Sequence, residues 1–162
     1  MAGATGFRLD AMIKDKSNVA GMMNPPFSTR GEKAGLKDMG TAAAALGAYQ
    51  GTSAFVLRPW AQANSDTLVK YIQAYIEGWR WAFDPNNKAE VIKILVERLK
   101  LTEEIATQAF DGTKDDSAKD GVVDMEGVKN VLKLRAQYEG GAPASPDKYL
   151  DLLYYKKALA GM

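Results

Sequence analysis

The sequence has no histidine and no cysteine among its 162 residues. Without histidine it lacks the commonest general base and the commonest transition-metal ligand. Without cysteine, thiol catalysis, disulfides and thiolate zinc sites are excluded. A hydrolase triad or a zinc centre built within this chain is therefore not expected, and no metal or cofactor is. Charge of one sign is also missing: 21 basic residues face 20 acidic ones. Such a balance gives no field to gather nucleic acid or anionic lipid, so a nucleic-acid partner is not expected. No apolar run approaches the roughly 20 residues of a membrane span. The first residues, Met1-Ala2-Gly3-Ala4-Thr5-Gly6-Phe7-Arg8, show no charged-then-apolar export signal.

What is present is ordinary for a globular chain: 46% hydrophobic and 25% charged residues, a length suited to one domain. Phe7, Leu9, Met12 and Ile13 predict a short amphipathic helix from Thr5 to Lys16, capped by Thr5. Val19-Ala20-Gly21-Met22-Met23 reads as a strand buried on both faces, ended by Pro25 and Pro26. A helix from Pro26 to Lys33 follows, then a short strand at Leu36–Met39. Thr41–Leu46 has helical propensity between two glycines. Ser53-Ala54-Phe55-Val56-Leu57 reads as a second buried strand, followed by a helical turn opened by Pro59.

The long helix predicted over Asp66–Phe83 puts Leu68, Tyr71, Ile72, Tyr75, Ile76, Trp79 and Phe83 on one inward face. Helices over Lys88–Leu99, Thr102–Phe110, Asp124–Tyr138 and Lys148–Ala160 complete the chain, with Val91, Ile92, Leu95 and Leu99 inward in the first of these. The aspartate-rich stretch Asp111–Gly121 invites a calcium reading. It fails as an EF-hand loop, with Asp116 where glycine is required and Val122 where glutamate is required. A solvated loop between helices is the expectation.

Two clusters stand apart. Asn24-Pro25-Pro26-Phe27 sets an amide, two donors and an acceptor, on a stiffened strand end. Tyr49-Gln50-Gly51-Thr52 offers a phenol, an amide, a hydroxyl and a glycine that lets backbone approach closely. A plain strand-to-helix turn and a plain turn before a strand explain the same residues. Both clusters are rich in neutral hydrogen-bonding groups, which suits binding of a small polar ligand better than acid–base chemistry.

The same residues carry a resemblance. Met22-Met23-Asn24-Pro25-Pro26-Phe27-Ser28, Glu32–Gly40, Tyr49–Thr52, Phe55-Val56-Leu57-Arg58-Pro59-Trp60, Tyr71–Tyr75, Trp81–Asn86 and Tyr149–Leu159 occur in an order and spacing that resembles the C-terminal half of ABC-transporter substrate-binding proteins. The type is the nitrate/sulfonate/taurine-like group, which shares its fold with proteins that bind thiamine-pyrimidine precursors. The resemblance implies an α/β fold, part of a two-lobe periplasmic-binding-protein-like architecture of the second type with a helix-rich C-terminal portion. Residues 1–35 would end the second lobe, 36–52 would be the hinge crossing, and 53–162 would complete the first lobe.

By the same resemblance the chain is truncated at its N-terminus and is the solute-binding component of an importer. It would be periplasmic and, at full length, monomeric. It would bind a small polar or anionic ligand and dock on a membrane permease, and it would not be an enzyme. Asn24, Pro25, Phe27, Tyr49, Gln50, Gly51 and Thr52 would face the ligand cleft. An enzyme of thiamine-pyrimidine synthesis on the same fold is the alternative. Related enzymes depend on a histidine, and this chain has none.

Overall fold

The computed structural model describes residues 4–116 and 118–162. Residues 1–3 of the N-terminal stretch and Ser117 of the aspartate-rich stretch lie outside them. The described residues are 66% helical and contain no strand. This overturns the α/β expectation. The helices are α1 (Thr5–Lys14), α2 (Phe27–Lys33), α3 (Ala42–Leu46), α4 (Arg58–Ala63), α5 (Ser65–Phe83), α6 (Lys88–Leu99), α7 (Glu103–Asp116), α8 (Met125–Glu139) and α9 (Leu153–Ala160), joined by three single-turn 3-10 segments.

All three predicted strands, at 19–23, 36–39 and 53–57, are irregular. Burial fails with them: Val19 is 86% exposed, Phe55 94% and Leu57 77%. The physical reason lies in what a sheet needs. A short apolar run fits a strand only if other strands supply its ladder, and about three strands with a covered face are needed for stability. The first two runs belong to one compact unit and the third to another, so neither unit holds three.

The first unit comprises Met1–Met39 and Phe83–Ser117. Here α1 packs on α2, α2 on α7, and α6 on α7. Leu9, Val91, Ile92, Ala106, Ala109 and Phe110 are buried. Gly31 is buried too, against the side chains of Leu36, Leu9 and Met23; a Cβ there would meet them at 3.4–3.6 Å, an ordinary packing distance. Phe83 stacks on Phe110 with ring centres 5.4 Å apart. Lys33–Glu104 (2.6 Å) and Lys88–Asp111 (2.7 Å) tie helix surfaces together. Pairs this exposed contribute about 0–1 kcal/mol each.

Helix α7 runs on to Asp116 and takes in half of the stretch expected to be a loop. The Thr113 hydroxyl turns back to the Ala109 carbonyl at 2.7 Å, so its polarity is absorbed without breaking the helix.

The second unit comprises Gly40–Ala82 and Ala118–Met162. Its buried residues are Ala61, Leu68, Ile76, Gly127, Leu132 and Ala158. The stripe on α5 is narrower than its periodicity predicts: Leu68 and Ile76 are buried, while Tyr71 and Tyr75 are 62% and 55% exposed. On α6, likewise, Val91 and Ile92 are buried but Leu99 is exposed. The last predicted helix splits into a 3-10 turn at Pro146–Lys148 and α9.

Side-chain caps open α3, the 3-10 turn at Pro85–Asn87 and α8. Thr41 accepts from Ala44 N at 3.1 Å, Asp84 from Asn86 N at 2.9 Å, and Asp124 from Glu126 N at 3.0 Å. Thr5 does not cap α1. Ala4 holds that position, and the Thr5 hydroxyl bonds elsewhere.

Candidate functional site

The two clusters singled out in the sequence fall in different units: Asn24, Pro25 and Phe27 in the first, Tyr49, Gln50, Gly51 and Thr52 in the second.

In the first unit the loop after residue 23 returns to the start of α1. The Thr5 hydroxyl donates to Asn24 Oδ1 at 2.9 Å and accepts from Arg8 Nη2 at 2.9 Å. One hydroxyl thus joins the amide of the Asn24-Pro25-Pro26-Phe27 motif to a guanidinium that no sequence motif marks. The Asn24 carbonyl accepts from Phe27 N (2.9 Å) and Ser28 N (3.2 Å), closing the first turn of α2. Pro25 lies over Gly112 of α7, and the Phe27 ring covers Gly6 of α1. The Arg30 guanidinium carbon lies over the Phe27 ring, 5.8 Å from its centre.

Pro25 and Phe27 therefore serve packing, while Asn24 is exposed and keeps its amide nitrogen without a protein partner among the described residues. Arg8 Nε is buried and unpartnered. Leaving such a donor unsatisfied costs about 1–3 kcal/mol, so it calls for an explanation. Helical spacing does not reveal Arg8. It sits one residue before the buried Leu9 on a helix whose polar residues otherwise read as solvated surface.

In the second unit the irregular segment before residue 53 lies along the start of α8. Gln50 Oε1 accepts from Asp124 N at 2.9 Å, Gln50 Nε2 donates to the Thr52 carbonyl at 2.7 Å, and Asn130 donates to the Ala48 carbonyl at 3.0 Å. Gly127 makes the approach possible: a side chain there would stand 2.7 Å from Gln50 N. Both ends of the Gln50 amide are therefore engaged inside the unit. The Tyr49 ring, 40% exposed, rests against Gly51. Thr52 is exposed. What this segment still offers a ligand is the phenol of Tyr49 and the hydroxyl of Thr52.

A two-pronged ion pair of the second unit lies away from both clusters. Arg80 of α5 grips Asp120 through two hydrogen bonds of 2.8 Å, and the Tyr155 hydroxyl of α9 donates to the Asp120 carbonyl at 3.3 Å. Asp120 has φ 58°, a left-handed backbone that a non-glycine residue adopts at a cost, and its side chain is only 16% exposed. The Arg80 hydrogen bond pulls the Asp120 carboxyl below the ordinary aspartate range, outweighing the opposing effect of desolvation; the charges of Arg80 and Lys119 lower it further. Burial, and after it the charge of Asp120, pushes the Tyr155 phenol up.

A carboxyl depressed in the folded state contributes stability that is full above its unfolded value. That stability is lost as pH falls through the folded one. The second unit therefore loses stability as pH drops below about 4, and Arg80→Gln removes that part of the acid sensitivity. Urea melts of the wild type and R80Q at pH 7 and pH 3 check this. An equal acid loss in both proteins would show that the pair does not hold the turn.

A shallow depression lies between Met125, Leu150, Leu153 and Lys156. Its rim carboxylate Asp151 already accepts from Leu153 N (2.9 Å) and lies 3.8 Å from Arg58, so it offers little to a solute. Among the described residues no group of three or more carboxylates could hold a metal, and no helix is long and apolar enough to cross a membrane. The surroundings of Asn24 and Arg8 form the candidate site, because donors there remain unmatched. Comparison with family models, with curated proteins and with solved structures finds no match to this chain.

Proposed function

We propose that the chain is a solute-binding component of an ABC importer of the nitrate/sulfonate/taurine type, holding a small polar or anionic ligand and delivering it to a membrane permease from the periplasmic side. The observation that carries this reading is the Asn24 cluster. The asparagine of the Asn24-Pro25-Pro26-Phe27 motif has its amide nitrogen unpaired, beside a guanidinium with unfilled donors. The reading rests on these residues and on the order of the motifs, not on the two-lobe α/β architecture. Binding in this role needs no chemistry from the chain. The solute is held by hydrogen bonds and released unchanged.

Ligand that binds only the folded chain stabilises it by about 2.7 kcal/mol at 100 times its Kd. For a chain of this size that raises Tm by about 5–10 °C. Thermal melts against nitrate, taurine, an alkanesulfonate and an aminopyrimidine, with calorimetry on any that shift, test the reading. One class is expected to raise Tm while neutral sugars do not. No shift with any of the four at millimolar concentration would overturn it.

A further inference from the structure

We propose that the outward face of α5 pairs antiparallel with the same face of a second copy of this chain, making a weak two-fold dimer. This goes beyond the importer reading and does not rest on it.

Helix α5 buries Leu68 and Ile76. On its far side Thr67, Lys70, Tyr71, Ala74, Glu77, Gly78 and Trp81 are all exposed. At 3.6 residues per turn these positions fall in one stripe. Thr67, Ala74 and Trp81 follow its midline seven residues apart, the repeat that keeps one seam turned toward a partner helix. Lys70 and Glu77 line one flank of the seam, Tyr71 and Gly78 the other.

A two-fold axis at Ala74 sets each flank against itself with its direction reversed. Lys70 then faces Glu77 of the second copy, and Glu77 faces Lys70 of that copy. Tyr71 faces Gly78, where even an added Cβ would meet nothing within 4 Å, so the ring has room. Trp81 faces Thr67, and Ala74 meets Ala74 on the axis. Charge and size are both matched, and the same patch supplies both halves.

The two charges are available for this. Neither Lys70 nor Glu77 is in a salt bridge among the described residues, and Arg80, the cation one turn from Glu77, is held by Asp120. A parallel pairing has no such matches: Lys70 and Glu77 of the two copies would stand about 10 Å apart along the axis, and Trp81 would meet Trp81. One helix from each copy makes an interface smaller than the ~1,600 Å² of a standard complex. The dimer is therefore weak, and its facing charges weigh heavily in it.

The lack of cysteine makes the test clean. Helices packed about 8–10 Å apart bring the Cα atoms at a shared two-fold within reach of a disulfide. The intact chain carrying Ala74→Cys is oxidised in a glutathione buffer, with Tyr138→Cys, at a 94% exposed position on α8, as the control. Every chain also carries Phe55→Asp and Leu57→Asp, so that the exposed apolar run at 55–57 adds nothing to the linking. Ala74→Cys is expected to form linked dimer at least about tenfold faster than Tyr138→Cys.

Adding Lys70→Glu or Glu77→Lys to the Ala74→Cys chain should slow linking by about tenfold, because like charges then face each other twice. An equimolar mixture of those two chains should recover the rate, since one flank is then wholly acidic and the other wholly basic. The altered positions are all exposed, and circular dichroism checks that the helices persist. Linking at position 74 no faster than at 138 would overturn the proposal and leave the face as solvated surface. Single charge changes without effect, or a mixture no faster than its components, would overturn it as well, because the two-fold register requires both.

Discussion

Replacing Ile76 by alanine is expected to destabilise the second unit by about 2–5 kcal/mol, a large share of the roughly 5–15 kcal/mol that holds a domain folded. Ile76 lies in the middle of α5 and is fully buried; among the described residues it and Leu9 of the first unit are the large side chains almost wholly removed from water. Two of the other four buried hydrophobic residues of the unit, Ala61 and Ala158, carry only a methyl group with which to fill the space that truncation leaves. Tyr71→Ala on the same helix supplies the contrast. The sequence places Tyr71 on the inward stripe with Ile76, but the structure leaves it 62% exposed. Its loss should cost well under half as much, and Ile76→Val should cost about 0.5–1.5 kcal/mol. Urea melts followed by circular dichroism measure all three. Equal losses for Tyr71→Ala and Ile76→Ala would mean that α5 buries the whole face its periodicity predicts and not the narrower stripe of Leu68 and Ile76.

The second large effect concerns association. Phe55, Val56 and Leu57 follow one another in an irregular segment at 94%, 48% and 77% exposure, and Trp60 just beyond is 44% exposed. A contiguous apolar run on the surface is an association hazard, and a segment whose backbone lies outside any ladder can pair with another chain. The isolated chain is therefore expected to self-associate as its concentration rises. Burying a side chain of this size contributes about 1.5–3 kcal/mol, and each 1.4 kcal/mol is a factor of about ten in affinity. Phe55→Asp with Leu57→Asp should accordingly weaken association by at least about tenfold while leaving the helical signal intact, since neither residue belongs to a helix or to the core. Sedimentation velocity over a wide concentration range measures this. A monomeric sedimentation coefficient that does not change with concentration in the wild type would refute it.

Much of the helical framework is legible in the residues alone. The stretches giving α5, α6 and α8 carry apolar residues at helical spacing, and each forms within a few residues of its expected bounds. Asp84 and Asp124 cap as their positions suggest, because an oxygen one or two bonds from the backbone reaches the first free N–H groups without tertiary help. The irregular segments are not legible, because their composition points to strands. Val19–Met23 and Ser53–Leu57 are apolar enough for a buried strand, but strand formation depends on partners that composition does not report. The end of α7 escapes for a related reason: a run of polar residues looks like a loop until a helix is found to carry it.

The candidate site divides along the same line. Asn24 stands out in the sequence as a polar group at the end of an apolar run against two prolines. Arg8 does not, since its meaning comes only from the Thr5 hydroxyl that joins it to Asn24 across 16 positions of chain. Gln50 shows the reverse: its amide, promising in the sequence, is used up by Asp124 and Thr52 once the segment lies on Gly127.

By itself, then, the sequence determined what is local. Helix positions and caps follow from periodicity and from short side chains next to free backbone groups, and the lack of histidine and cysteine excluded whole classes of chemistry. Only the tertiary structure decided which apolar faces are covered and which polar groups are left unpaired. Burial and hydrogen-bond satisfaction are sums over neighbours distant in the chain. For that reason the exposure of Phe55 and the unfilled donors of Arg8 have no signature in the residues around them.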